Sequence, residues 1–277
     1  MSKTLQISGI LVDVSEPLIM GIVNVTPDSF YDGGKQIHQE QVNALIEKHI
    51  ADGAHIVDIG AFSTRPHAQF LSISEELDRI ESLIENIKYN FPNIILSIDT
   101  FRTEIIEMVY KKIGGFIIND ISGGVFDKNM FQIAAKYRLP YILSHLQGSF
   151  DSMHNEYKYE NLITDVIFDL QVKLSQLHKI GVVDVIIDPG IGFSKNIEQN
   201  FTILKRLKDF EILEKNLLVG VSRKSLITKS LNITAQEALN ATTVLHTIAL
   251  QNGANILRVH DVKEAKQCIA LLSLLNK

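Results

Sequence analysis

At 277 residues and 45% hydrophobic content, the chain carries enough apolar side chains to bury a sizeable core, which excludes a disordered chain. A formal net charge of −5 argues against a nucleic-acid binder, which needs a basic face. The lone cysteine, Cys268, has no partner for an intramolecular disulfide; beside Ile269 and Leu272 it is expected to be a small apolar residue on a packed helix. Residues 1–8 lack the apolar run and cleavage site of a signal peptide, and no stretch approaches the roughly 18–20 apolar residues of a membrane span. A soluble, cytoplasmic protein is expected.

In chain order, residues 4–15 alternate like a strand and stand apart from the rhythm that follows. They are expected to form a hairpin that plugs a barrel floor. From residue 18 onward, short apolar, β-branched runs recur at 18–25, 54–61, 94–100, 116–121, 140–146, 183–188, 217–222 and 254–260. These runs are apolar on both faces, as strands covered on both sides should be. Helical patterns lie between them: Leu77, Ile80, Ile84 and Ile87 step by three or four, as do Ile163, Ile167, Leu170, Leu174 and Leu177. Ser74 before Glu75 and Glu76 reads as an N-cap with acids at the positive helix end. Gly53, Gly181 and Gly253 stand just before strands, where helix C-termini favour glycine. Eight strand–helix alternations predict parallel strands with right-handed crossovers. The expected fold is a (β/α)8 TIM barrel with a short N-terminal hairpin, one domain over residues 1–277. A doubly wound open sheet is the alternative.

Polar residues gather at the C-terminal ends of the runs: Asn24, Asp58, Asp99, Asn119, Asp120, His145, Asp188, Arg223, Lys224, Arg258 and His260. One aspartate after a strand is usually a turn residue. Eight strands delivering polar groups to one rim read as an active site, because in a barrel those ends share one face. Asn, Asp and Lys in an apolar mouth suit a flat heterocycle rich in N–H and carbonyl groups, and a carboxylate such as Asp188 can accept two parallel N–H bonds. Arg65, Arg258 and His260 suit a phosphate or diphosphate, and Arg223-Lys224-Ser225, between a strand and a helix start, reads as an anion cradle. Two connections, 25–38 and 62–74, exceed the about 2–6 residues usual for βα loops and are expected to act as lids. Zinc spacing, a nucleophile elbow and a P-loop are absent, and Gly190-Ile-Gly-Phe does not complete a dinucleotide fingerprint.

The run Met20-Gly-Ile-Val-Asn-Val-Thr-Pro-Asp-Ser-Phe-Tyr-Asp-Gly-Gly34 closely resembles the first-loop signature of the dihydropteroate synthases. Ser63-Thr64-Arg65-Pro66 resembles their second loop, Ser97-Ile98-Asp99-Thr100 the third-strand motif and Asn119-Asp120-Ile121 the fourth. Asp188-Pro-Gly-Ile-Gly-Phe193, Ser222-Arg-Lys-Ser225 and Arg258-Val-His-Asp261 are similar to the sixth, seventh and eighth strand ends. Any one motif is modest evidence, whereas seven in register over residues 18–263 are highly specific. Ala61, Phe62, His67, Ser144 and Leu226 depart from the family's usual residues, without removing a charge or hydrogen-bonding group proposed for the site.

The resemblance implies a transferase that forms a C–N bond between a dihydropterin diphosphate and p-aminobenzoate and releases diphosphate. It implies that Asp188 and Asn119 hold the amino-pyrimidine edge, Lys224 the carbonyl side and Asp99 the second ring, with Gly192 and Phe193 lining the pterin pocket. Asn24 would help bind Mg2+ on the diphosphate, with Arg258 and His260 as anion ligands. Ser225 would receive the p-aminobenzoate carboxylate, and Phe30, Thr64, Arg65 and Pro66 would close over it. Asp32 would shield a cationic intermediate, and the protein would be a homodimer. Two alternatives are a pterin-binding methyltransferase barrel and a non-catalytic pterin-binding protein. The first has no need of the two lid motifs, and the second no need of diphosphate ligands.

Overall fold

The structure, a computed structural model, describes residues 4–7, 9–25, 35–61 and 71–275. An N-terminal hairpin of β1 (Thr4–Ile7) and β2 (Ile10–Asp13) leads into β3 (Leu18–Asn24) and α1 (Lys35–Asp52). Next come β4 (Ile56–Gly60), α2 (Ile73–Asn90), β5 (Ile95–Asp99), α3 (Thr103–Ile113), β6 (Ile117–Asp120), α4 (Met130–Tyr137) and β7 (Tyr141–Ser144). The chain continues through α5 (Leu162–Lys179), β8 (Val185–Asp188), α6 (Ile197–Lys205), β9 (Asn216–Val219), α7 (Ser225–Leu231), α8 (Leu239–Gln251), β10 (Ile256–Val259) and α9 (Val262–Leu275).

Strands β3 to β10 pair in parallel in chain order, and β10 closes on β3 through Ile256↔Leu18 to Val259↔Gly21. That last ladder excludes the open-sheet alternative, since an open sheet leaves its outer strands unpaired. All eight expected runs are strands, ending at or up to three residues before the expected limit.

Successive strand side chains point to opposite faces, so each run feeds two cores. Outward residues such as Val57, Ile98, Ile118, Leu143, Ile187 and Leu257 pack under the helices, against Ile84, Val109, Leu170 and Ile203 among others. Inward residues Met20, Ile56, Ile117, Ile142, Ile186, Leu218 and Ile256 fill the lower barrel. Leu5, Ile7 and Val14 join that inner cluster from below, so the hairpin plugs the floor.

Helix ends follow local chemistry, with one correction. The N-cap of α2 is Ser72, not Ser74: Glu75 N–H donates to Ser72 Oγ at 3.2 Å, while Glu75 Oε2 accepts from Ser72 N–H at 2.9 Å. Only Ser72 has a glutamate three residues on, so only it can form the reciprocal box. Glu76 turns inward instead, accepting from Arg102 at 2.7 Å and Thr100 Oγ1 at 2.8 Å. Gly53, Gly181 and Gly253 all adopt the left-handed backbone expected at helix ends. Cys268 is buried on α9, as expected.

Candidate active site

The same period of two that builds the apolar floor builds the site above it. Moving up two residues turns Ile56 into Asp58, Ile117 into Asn119, Ile186 into Asp188 and Ile256 into Arg258, all on inward positions. Ser97 and Asp99 follow Ile95 in the same phase. The barrel interior therefore changes from hydrocarbon to hydrogen-bonding groups within one strand repeat.

Arg258 is the hub of this polar layer. Its Nε donates to Asp58 Oδ2 at 2.6 Å and its Nη2 to Asp99 Oδ2 at 2.6 Å. Asn119 Nδ2 donates to both oxygens of Asp58, at 3.2 and 3.1 Å. A carboxylate can only accept here, so the Asn119 nitrogen faces Asp58 and its carbonyl oxygen takes the other branch. Burial raises the Asp99 carboxyl to about 7; Arg258 opposes the shift, and Asp58 adds to it. The two carboxylates hold Arg258 firmly in its charged form, against burial.

The turn after β8 forms the second wall. Gly190 N–H donates to Asp188 Oδ1 at 2.8 Å, which fixes that carboxylate at the mouth. Gly190 has φ +72°, and a Cβ there would lie 1.9 Å from the His145 carbonyl oxygen, so glycine is required. Lys224 crosses this turn: its Nζ donates to Ile191 O at 2.5 Å and stands 4.9 Å from the centre of the Phe193 ring. Burial lowers the Lys224 ammonium to about 8. Ser225 follows as the exposed first residue of α7.

Asn24 ends β3 near the same opening. Its Oδ1 lies 3.5 Å, and Asp99 Oδ2 3.6 Å, from the point a Cβ on Gly60 would occupy. The nearest atom to that point is Asp99 Cβ at 3.3 Å, so a glycine at position 60 lets the Asp99 and Asn24 side chains approach the β4 backbone closely. His260 places Nδ1 3.0 Å from Ser222 Oγ. An apolar cluster of Leu71, Phe101, Ile121, Leu146 and Met153, with Phe126, Phe150 and Phe193 against it, stands beside the polar layer.

Three rim expectations are corrected. Asp120 faces outward, accepting from Ser122 N–H and Oγ, Gly124 N–H and Tyr141 Oη at 2.6–2.8 Å. It is a loop-ordering carboxylate, on the opposite face of β6 from Asn119. Arg223 belongs to no anion cradle, because its guanidinium makes a two-point ion pair with Asp261, at 2.9 and 2.5 Å. His145 is buried beneath the β8 turn, where Lys195 donates to its Nδ1 at 3.0 Å. Lys195 was not signalled by the sequence: a lysine after a glycine-rich turn normally reads as solvated. The expected roles of Phe30, Asp32, Thr64, Arg65 and Pro66 lie outside the described residues, as do 26–34 and 62–70 of the expected lids 25–38 and 62–74; of the remainder, Lys35–His38 belong to α1 and Ile73–Ser74 to α2.

Comparison with known proteins agrees with this geometry. The family described as "Pterin binding enzyme" matches residues 20–260. A dihydropteroate synthase of Streptococcus pyogenes is 41% identical over 259 residues, covering 92% of this chain and 94% of the relative. The Yersinia pestis dihydropteroate synthase, solved as a sulfonamide drug complex, superposes with a TM-score of 0.91 at 35% identity over 99% of both chains. The Xanthomonas albilineans dihydropteroate synthase, solved with 4-aminobenzoic acid, also gives 0.91, at 30% identity over 100% of this chain and 99% of that one. With seven motifs in register, a closed barrel of the same shape and relatives matched nearly end to end, the chain belongs to the dihydropteroate synthase family of pterin-binding enzymes.

Proposed function

We infer that this chain is the transferase that joins (7,8-dihydropterin-6-yl)methyl diphosphate to p-aminobenzoate, giving 7,8-dihydropteroate and diphosphate. The observation that carries the reading is the polar layer of Asp58, Asp99, Asn119, Asp188, Lys224 and Arg258 set directly on an apolar floor. A flat, hydrogen-bonding ring lowered into the barrel meets hydrocarbon beneath and matched donors and acceptors at its edge.

In this reading the Asp188 carboxylate accepts N–H bonds from the amino-pyrimidine edge, and Asn119 offers its carbonyl oxygen to the same edge. Lys224 donates to the ring carbonyl, and Asp99 meets the second ring. Gly192 lets the Lys224 stem pass close, and Phe193 lines the wall. Arg258, through the guanidinium N–H groups not bonded to Asp58 and Asp99, and His260 face the diphosphate, and Ser225 the p-aminobenzoate carboxylate. Phe30, Thr64, Arg65 and Pro66 close around the second substrate. The C–O bond to diphosphate breaks, the methylene cation delocalises into the dihydropterin, and the neutral aryl amine attacks that carbon and then loses a proton. No nucleophilic side chain is needed; the protein's part is electrostatic, with Asp32 shielding the cation.

For Mg2+, the Asn24 amide oxygen would supply one protein ligand, diphosphate and water the rest, and the ion would neutralise charge on the departing diphosphate. A homodimer is proposed as well, as the family resemblance implies. Among the described residues no helix is long and apolar enough to cross a membrane, and a cytoplasmic location remains part of the proposal.

The deciding experiment is one incubation of purified protein with dihydropterin diphosphate, p-aminobenzoate and Mg2+. Dihydropteroate and free diphosphate should appear together. Methyl transfer from a folate donor, or pterin binding without turnover, would replace this reading.

A further inference from the structure

Lys195 is a buried ammonium that the proposed chemistry does not use. It immediately follows the Asp188–Ser194 turn, and its Nζ lies 3.0 Å from Gly190 O, 3.1 Å from Phe193 O and 3.0 Å from His145 Nδ1. An ammonium has three hydrogens and no lone pair, so three acceptors match it completely. Two of them are carbonyls at opposite ends of one turn, and the third belongs to the neighbouring strand end.

That turn needs fastening. Gly190, Gly192 and Ser194 all have positive φ, at +72°, +90° and +49°, and the last is a non-glycine residue in a disfavoured region. Ser194 is held by its own contacts: its N–H donates to Met153 O at 2.7 Å, and its Oγ accepts from Gln147 N–H at 3.1 Å. His145 N–H donates to Asp188 O at 2.9 Å, so the imidazole that anchors Lys195 rides on the strand that flanks Asp188. On the cavity side, the same turn carries the Asp188 carboxylate, the Ile191 carbonyl that positions Lys224, and the Phe193 ring. Two lysines therefore grip one turn from opposite sides, Lys224 from the cavity and Lys195 from the interior.

We propose that Lys195, seated on His145, is a positioning residue that sets the pterin-contacting turn 188–194. It acts through Asp188, Ile191 and Phe193 and touches no substrate. This inference rests on the pterin reading of the site. Burial lowers the Lys195 ammonium to about 7, so the fold accepts a costly charge at this place. An apolar residue would take the ammonium partner from Phe193 O and the His145 Nδ1, and would leave Gly190 O with only the Phe193 N–H at 3.2 Å.

The test uses the full chain, comparing the native protein with Lys195→Met, which keeps stem length and removes all three donors, and Lys195→Gln, which keeps an amide donor. The readouts are KM for each substrate, kcat, and calorimetric affinity for the dihydropterin diphosphate. Displacing a recognition turn by a fraction of an ångström to an ångström should raise the KM and Kd for the pterin on the order of ten- to a hundred-fold. Lys195→Gln should fall between Lys195→Met and native. The KM for p-aminobenzoate should change little at saturating pterin. A purely structural lysine would lower the active fraction, reducing apparent kcat while leaving both constants alone; that result in either soluble variant overturns the proposal. Should Lys195→Met be insoluble, Lys195→Gln decides by the same criterion. Native protein that neither binds pterin nor turns over would overturn both this inference and the functional reading. Native turnover with unchanged variant constants would overturn this inference alone.

Discussion

The barrel interior divides into two regions only two residues apart along each strand. The lower region is a dry plug of Met20, Ile56, Ile117, Ile142, Ile186, Leu218 and Ile256, sealed by the hairpin residues Leu5, Ile7 and Val14. The upper region holds an arginine between two carboxylates, an amide bonded to one of them, and nearby the buried Lys195 and half-buried Lys224. Burial of hydrocarbon stabilises the first region at about 25 cal/mol per Å². Burial of charge costs free energy in the second; the network outweighs that cost at Arg258 but not at Asp99, Lys195 and Lys224. The floor holds the barrel closed, and the mouth spends part of that stability on a prearranged set of donors and acceptors.

The sharpest way to break this comparison is a pair of substitutions on one strand. Ile186→Ala should cost about 2–5 kcal/mol of stability through the lost side chain and the cavity left behind. Its KM values per folded molecule should stay native. Asp188→Asn keeps an oxygen for Gly190 N–H but turns one acceptor into a donor. It should melt near the native temperature while losing about 1–3 kcal/mol or more of pterin affinity. Denaturant unfolding and calorimetry would check both, and near-native pterin affinity in folded Asp188→Asn would remove that residue from the site.

The pH dependence of stability should also separate the regions. The Asp99 carboxyl is raised from 3.8 to about 7, so its contribution is fully present below pH 3.8 and lost as pH rises through 7. Lys195 and Lys224 are lowered from 10.5 to about 7 and 8, so their contributions are present above pH 10.5 and lost as pH falls through those values. The mouth of the substrate-free protein should therefore be least favourable near pH 7–8. Asp99→Asn should remove a fall on the order of a few kcal/mol between pH 4 and 7, measured by denaturant midpoint. Ile186→Ala should lower the whole curve without changing its shape, because neither Ile186 nor the apolar residues clustered with it carry a titratable group.

The two expected lids give a further test. p-Aminobenzoate should bind at least about ten-fold more tightly with diphosphate and Mg2+ present, because ordering loop residues costs about 1–2 kcal/mol each and the diphosphate gives Arg65 a partner. Equal affinities in paired titrations would mean a preformed pocket and end the lid reading. The smallest effect is expected at the edge of the polar layer. Asn24→Ala should raise the Mg2+ concentration for half-maximal turnover by roughly several-fold, since one ligand among several oxygens is lost. An unchanged Mg2+ titration would exclude Asn24 as a ligand.

Much of this protein was legible in the sequence alone. Eight apolar runs separated by helical spacing specify a barrel, because strands covered on both faces and joined by helices have few other arrangements. Polar residues at the run ends placed the site, because parallel strands bring all those ends to one face. The Ser72–Glu75 box was legible too, by counting three residues to a glutamate, although Ser74 drew the first reading.

Other features were decided by tertiary structure. Asn119 and Asp120 are neighbours with opposite fates, inward and outward, set by the phase of the strand. Arg223 is paired to Asp261 and Arg258 to Asp58, contacts spanning 38 and 200 residues that no local pattern encodes. Lys195 looks like an ordinary surface lysine until the turn folds back and presents Gly190 O, Phe193 O and His145 Nδ1 together. Periodicity and motif order are local and survive in one dimension. Which charge meets which partner depends on barrel closure, which sets residues far apart in the chain within hydrogen-bond distance.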